Sequence, residues 1–214
     1  IADMAGRYLA VFILISLAVA SETVEIQAQN GKIKIMVGTT SACAHTVNFI
    51  TDLVPVYEEY KQYLEVEFVP WGRTKIEDGN LVCQFGPNDC WANRLHRCVL
   101  NMLKGDQNAQ VKYMGCECTR PLPANELGSY ICAQNAGLNI IDVDYCMSTT
   151  GDSLEGPAQE ASVRPMEMIN SVPSIVFNDE IDRSIHDEAR KRLRSLICFA
   201  LANDPSTSVT NCSI

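Results

Sequence analysis

The stretch Gly31-Lys32-Ile33-Lys34-Ile35-Met36-Val37, followed six residues later by Cys43-Ala44-His45-Thr46, decides how the rest of the chain is read. Ile33 and Ile35 alternate with lysines before the run turns apolar, which is the period of a strand entering a sheet. From Cys43 onward Val47, Ile50, Val54 and Tyr57, flanked by Phe49, Leu53 and Val56, recur at three- and four-residue spacing. That spacing predicts a helix with one broad buried face. Pro55 is expected to kink it, because proline removes one backbone hydrogen bond and crowds the preceding turn. Tyr63 to Val69 alternates Leu64, Val66 and Phe68 with glutamates, a second strand. Strand, helix and strand in fewer than forty residues predict a right-handed crossover with parallel strands, so the fold class is α/β.

Cys43 stands where this reading puts the helix N-terminus. There, unsatisfied backbone N–H groups and the positive end of the helix dipole favour thiolate, the attacking species in disulfide exchange. A dithiol centre needs Cys-x-x-Cys, whose second thiol resolves the mixed disulfide formed by the first. Here Thr46 occupies the second position. A lone Cys43 then has to be released by an external thiol such as glutathione. The Thr46 hydroxyl is a candidate donor to the thiolate, and His45 reads either as a cation facing the sulfur or as a solvent-facing helix residue.

Outward from this unit, residues 79 to about 165 are less regular and hold seven of the ten cysteines, as expected of an insertion held by disulfides. Helical patches are expected within it at Cys90 to Leu103 and at Asn125 to Asn135. Val172-Pro173-Ser174-Ile175-Val176-Phe177 reads as a short strand opened by a proline. Ser184 to Ala202 reads as a helix with Ala189, Leu193, Leu196 and Ile197 on its apolar face. The expected organisation is one domain over residues 31–202 with an insertion at about 79–165, then a tail from 203 to 214.

Met4 to Ala20 has a basic start, an uncharged run from Tyr8 to Ala20, and small residues at Ala18 and Ala20. That run has 13 residues, against roughly 20 needed to span a bilayer. The segment therefore reads as a signal peptide over residues 1–20, with residues 1–3 upstream of the true start. The expected destination is secretion or the lysosome. All ten cysteines lie beyond this segment, in a compartment where disulfides persist. Lys plus Arg number 17 and Asp plus Glu 26, a net charge of −9 that repels phosphate backbones and anionic membranes. Neither nucleic acid nor membrane is an expected partner. Asn211-Cys212-Ser213 is a candidate glycosylation sequon. No metal is expected, since the cysteine spacings lack paired Cys-x-x-Cys knuckles.

The run Cys83-Gln84-Phe85-Gly86-Pro87-Asn88-Asp89-Cys90-Trp91-Ala92-Asn93-Arg94-Leu95-His96-Arg97-Cys98 resembles the signature of the gamma-interferon-inducible lysosomal thiol reductase family. That signature reads Cys-Gln-His-Gly-x-x-Glu-Cys-x-x-Asn-x-x-x-x-Cys; here Phe85 stands for the histidine and Asp89 for the glutamate. The resemblance continues through Phe49-Ile50, Pro55, Val69-Pro70-Trp71-Gly72, Val172-Pro173, Cys198 and Cys212. It implies a thioredoxin-like fold with a disulfide-rich, partly helical insertion, and reduction of protein disulfides in the secretory and lysosomal system, often at acidic pH. The family's first active cysteine falls on Cys43 and its second on Thr46, and Pro173 becomes a cis-proline shaping the substrate groove.

Cys83, Cys90, Cys98, Cys116, Cys118, Cys132, Cys146, Cys198 and Cys212 are the structural disulfide candidates. Nine cysteines cannot all pair, so a second thiol is free, or Cys43 is bonded, or a disulfide-linked dimer forms through the odd one. Cys116-Glu117-Cys118 is a candidate source of a spare thiol. The leading expectation is a monothiol oxidoreductase acting on disulfide-containing proteins through Cys43, His45, Thr46 and Pro173, with no bound cofactor and an external thiol as reductant. The alternative is a secreted, non-catalytic binding protein on a reductase-derived scaffold.

Overall fold

The computed structural model describes residues 25–125 and 130–212. The signal-peptide reading of residues 1–20 and the serine of the sequon lie outside them.

The first crossover forms where the alternation predicts it. Strand β1 (Ile33–Thr39) leads into helix α1 (Ala44–Tyr60) and then strand β2 (Leu64–Pro70). The two strands pair in parallel, Ile33 against Leu64 through Thr39 against Pro70. Along β2 the apolar Leu64 and Val66 are buried while Glu65 and Glu67 face solvent. Pro55 lies within α1 without ending it. β2 is an edge strand, and Gln107 caps it as a neighbouring strand would. The side-chain oxygen of Gln107 accepts from Val66 N at 3.0 Å, and its amide donates to Leu64 O at 2.9 Å.

A short hairpin follows, β3 (Lys75–Glu77) and β4 (Asn80–Val82), turning at Asp78 (φ 49) and Gly79 (φ 79). Two consecutive left-handed residues give the turn whose twist matches paired strands. Past the hairpin, the described part of the insertion carries five α-helices: α2 (Pro87–Met102), α3 (Gln107–Glu117), α4 (Ile131–Asn135), α5 (Ile140–Ser148) and α6 (Glu155–Met168). Among the described residues of the helix expected over 125–135, Ile131–Asn135 form α4, while Asn125 ends a 3-10 turn over Pro123–Asn125.

The chain returns through a cis Val172–Pro173 peptide into β5 (Ser174–Phe177), antiparallel to β1, and closes with α7 (Arg183–Ala202). Asp182 caps α7 by accepting from Ile185 N at 2.9 Å. The sheet order is β2-β1-β5, with α1 packed on α3 and α7, α2 and α6 on β2, and α6 and α7 on β5. A β-α-β crossover, then an antiparallel strand entered through cis-proline and a closing helix, is the thioredoxin-like arrangement the resemblance implies. The core runs unbroken from Ile33, Ile35 and Val37 of β1 through α1 into the insertion helices.

Four disulfides staple this frame: Cys83–Cys90, Cys98–Cys146, Cys116–Cys132 and Cys198–Cys212. Cys118 departs from the expectation that it is a disulfide candidate: it is a free thiol, as is Cys43. Two residues apart at the end of a helix, Cys116 and Cys118 point roughly 200° apart. Cys116 therefore reaches Cys132 in α4, while Cys118 turns into the core and is 5% exposed. Among the described residues no helix is long and apolar enough to cross a membrane.

Candidate active site

Cys43 is the N-cap of α1, with extended dihedrals (φ −76, ψ 117) that end the loop leaving β1. Its side chain is 5% exposed, and Sγ donates to the Val172 carbonyl at 3.5 Å. Val172 is the residue whose peptide bond to Pro173 is cis, and Pro173 is buried. Two segments 129 residues apart in sequence are thus brought together at one sulfur. Thr46, one turn into α1, is 1% exposed, and its Oγ1 has no hydrogen-bond partner. The expected bond from Thr46 to the sulfur is not formed. His45 is exposed on the same turn, and among the described residues no hydrogen bond joins it to Cys43.

The loop before Cys43 is held by residues that the sequence reading singled out only as matches to a signature. Asp89, in the first turn of α2 and fully buried, collects donors from three consecutive loop residues. Its Oδ1 accepts from Thr40 Oγ1 at 3.0 Å, Ser41 Oγ at 2.7 Å and Ala42 N at 3.1 Å. Its Oδ2 accepts from Thr40 Oγ1 at 2.9 Å and from Phe85 N at 3.4 Å. These donors and the positive end of α2 offset the desolvation of the carboxylate. One helical turn on, the buried Asn93 accepts from Ser41 N and donates to Thr40 Oγ1, both at 2.9 Å. Ser41 Oγ, which donates to Asp89 at 2.7 Å, also lies 3.4 Å from Asn125 Oδ1, the longer of the two contacts.

Arg97, later in the same stretch, supports the other wall. Its Nη1 donates to Pro70 O at 2.7 Å, its guanidinium lies 5.5 Å from the Trp71 ring centre, and burial brings its pKa down to about 10. This fixes the turn after β2, where a side chain on Gly72 (φ 56) would meet Thr40 Cβ at 2.8 Å. The Cys83–Cys90 disulfide closes the short loop that delivers Phe85 N to Asp89.

Cys118 is placed differently. Burial and the neighbouring Glu117 carboxylate push its pKa up to about 12, so it stays a thiol. Among the remaining candidates, Cys83, Cys90, Cys98, Cys116, Cys132, Cys146, Cys198 and Cys212 are all consumed in disulfides, and Asn211 is exposed on the tail.

Compared with known proteins, residues 34–136, which span Cys43 and the whole 83–98 stretch, match the family model for Gamma interferon inducible lysosomal thiol reductase (GILT). The chain is 28% identical over 185 residues to GILT-like protein 1 of Drosophila melanogaster, covering 78% of this chain and 74% of that protein. It is 24% identical over 190 residues to the gamma-interferon-inducible lysosomal thiol reductase-like protein of Anopheles gambiae, covering 81% and 79%. A solved structure of oxidized PaDsbA1 aligns at 15% identity with a TM-score of 0.46 over 86% of this chain and 90% of that one. With the family model spanning both the cysteine loop and the stretch that clamps it, residues 34–136 of the chain are similar to the gamma-interferon-inducible lysosomal thiol reductase family.

Proposed function

We propose that this chain is a monothiol disulfide oxidoreductase of the secretory and lysosomal system, with Cys43 as its only nucleophile. The observation that carries the reading is Cys43 as N-cap of α1 against the cis Val172–Pro173 bond, with threonine at the resolving position. Cys43 loses its proton and attacks one sulfur of a protein disulfide; a Cys43–substrate disulfide forms and the other substrate sulfur leaves as thiolate. A first glutathione attacks Cys43 Sγ and expels the reduced substrate. A second attacks the glutathione sulfur on Cys43, regenerating the thiol and yielding glutathione disulfide. One substrate disulfide is reduced for two thiols oxidised, with no bound cofactor or metal in the cycle.

One observation favours a second reading. Cys43 is 5% exposed and donates to Val172 O, a bond open only to the thiol. A non-catalytic binding protein, secreted on the same stapled scaffold, fits that resting state.

Native protein incubated with glutathione disulfide from about pH 4.5 to about 7.5 and analysed by peptide mass mapping separates the two. The monothiol reading expects glutathione on Cys43, none on Cys118, and complete loss of the adduct in Cys43→Ser. An unmodified Cys43 in folded protein supports the binding reading.

A further inference from the structure

We propose that Asp89, with Asn93 beside it, is the positioning residue that aims Cys43 at its substrate. The inference rests on Cys43 being the nucleophile and names what orients it. In three residues, Thr40 to Ala42, the chain has to turn from β1 to the N-cap of α1. Across that turn two backbone amides, Ser41 N and Ala42 N, and two hydroxyls, Thr40 Oγ1 and Ser41 Oγ, end on Asp89 or Asn93. Both side chains are fully buried. A carboxylate buried only as filler is replaceable by an apolar side chain without loss. No apolar side chain converges three loop donors on one oxygen. Phe85 N, brought in by the Cys83–Cys90 loop, fixes the carboxylate from its far side.

Disulfide exchange requires the attacking sulfur in line with the scissile S–S bond, so small displacements of the nucleophile cost rate steeply. With the clamp cut, the donors of residues 40–42 turn to water, the loop pivots about Cys43, and Sγ leaves its place at the Val172 carbonyl. The sulfur then becomes easier to reach and worse aimed. This signature distinguishes positioning from mere support of the fold, because it moves two rates in opposite directions.

The test compares wild type with Asp89→Asn, Asp89→Glu and Ser41→Ala. Asp89→Asn sets an amide donor against the loop donors, Asp89→Glu keeps the carboxylate, and Ser41→Ala cuts one arm only. Two rates are measured at Cys43: alkylation by iodoacetamide, and mixed-disulfide formation with a disulfide-bonded protein substrate, alongside the melting temperature. In Asp89→Asn we expect alkylation to rise about threefold or more while mixed-disulfide formation falls about five- to tenfold. Ser41→Ala shifts both rates in the same directions by about twofold, and Asp89→Glu restores wild-type behaviour within about twofold. Unchanged rates, or two rates that move together and follow the melting temperature across the variants, overturn the proposal. Alkylation reports the clamp even if the wild type forms no mixed disulfide, an outcome that counts against Cys43 as nucleophile instead.

Discussion

Thr46→Cys raises the turnover of protein-disulfide reduction about tenfold or more, measured with glutathione as reductant. The gain comes from converting resolution of the mixed disulfide from a bimolecular step into one within the first turn of α1. The substitution is mild. Thr46 is 1% exposed and its hydroxyl has no hydrogen-bond partner, so a thiol in its place gives up no bond and relieves an unpaired buried oxygen. Stability should stay within about 1 kcal/mol. The control is Thr46→Cys combined with Cys43→Ser, which should be inactive. Unchanged turnover in a correctly folded Thr46→Cys protein would mean that the groove beside Pro173 no longer accepts disulfides, and would favour the binding-protein reading.

A second large effect is expected in the dependence of stability on pH, and it originates in His186. This residue of α7 is 1% exposed, and its Nδ1 accepts from the backbone N–H of Ile175 in β5 at 3.2 Å. The neutral tautomer with its proton on Nε2 is required for that bond. Burial, with smaller contributions from Arg190 and Arg183, brings the His186 pKa down to about 4, while Asp187 opposes the shift. Between about pH 6.5 and about 4 the unfolded chain therefore holds more protons than the native state, and stability rises with pH across that window. The contribution is fully present above about pH 6.5 and is lost as pH falls, by about 3 kcal/mol at the lower end. His186→Asn keeps an acceptor near the Nδ1 position and does not titrate. Denaturant unfolding of both proteins across this range should show the variant losing about 2 to 3 kcal/mol less than wild type on acidification. Equal losses would place the acid sensitivity elsewhere. Ile175 lies two residues beyond Pro173, so protonation of His186 weakens the anchorage of the strand that directly follows Val172, the Cys43 partner.

How far the sequence is legible depends on the range of the interaction involved. Ile33 and Ile35 against lysines, and Leu64 and Val66 against glutamates, are period-two patterns, and both become the strands they predict. The helix between them is just as plain, because Val47, Ile50 and Leu53 repeat on one buried face. Helix α6 gives no such signal: Pro157 and Pro165 read as breakers, and within it only Ser162 and Pro165 are buried. Helix α3 buries Glu117 together with Val111, Tyr113 and Met114, which blurs its apolar stripe. The β3–β4 hairpin carried an explicit local signal in Asp78-Gly79, a left-handed pair that the sequence reading passed over as the opening of the insertion.

By itself the sequence determined the crossover, the cysteine at the mouth of α1 and the threonine three residues after it, because each rests on residues within one or two elements of each other. Tertiary structure decided the rest of the site. Asp89 reaches a loop 47 to 49 residues away, Val172 reaches Cys43 across 129, and Cys116 rather than Cys118 is bonded because it faces α4. Local periodicity and helix dipoles are properties of short segments and can be read along the chain. Which buried donor meets which acceptor, and which thiol meets which, depends on how separate helices pack, and no short stretch of sequence contains that.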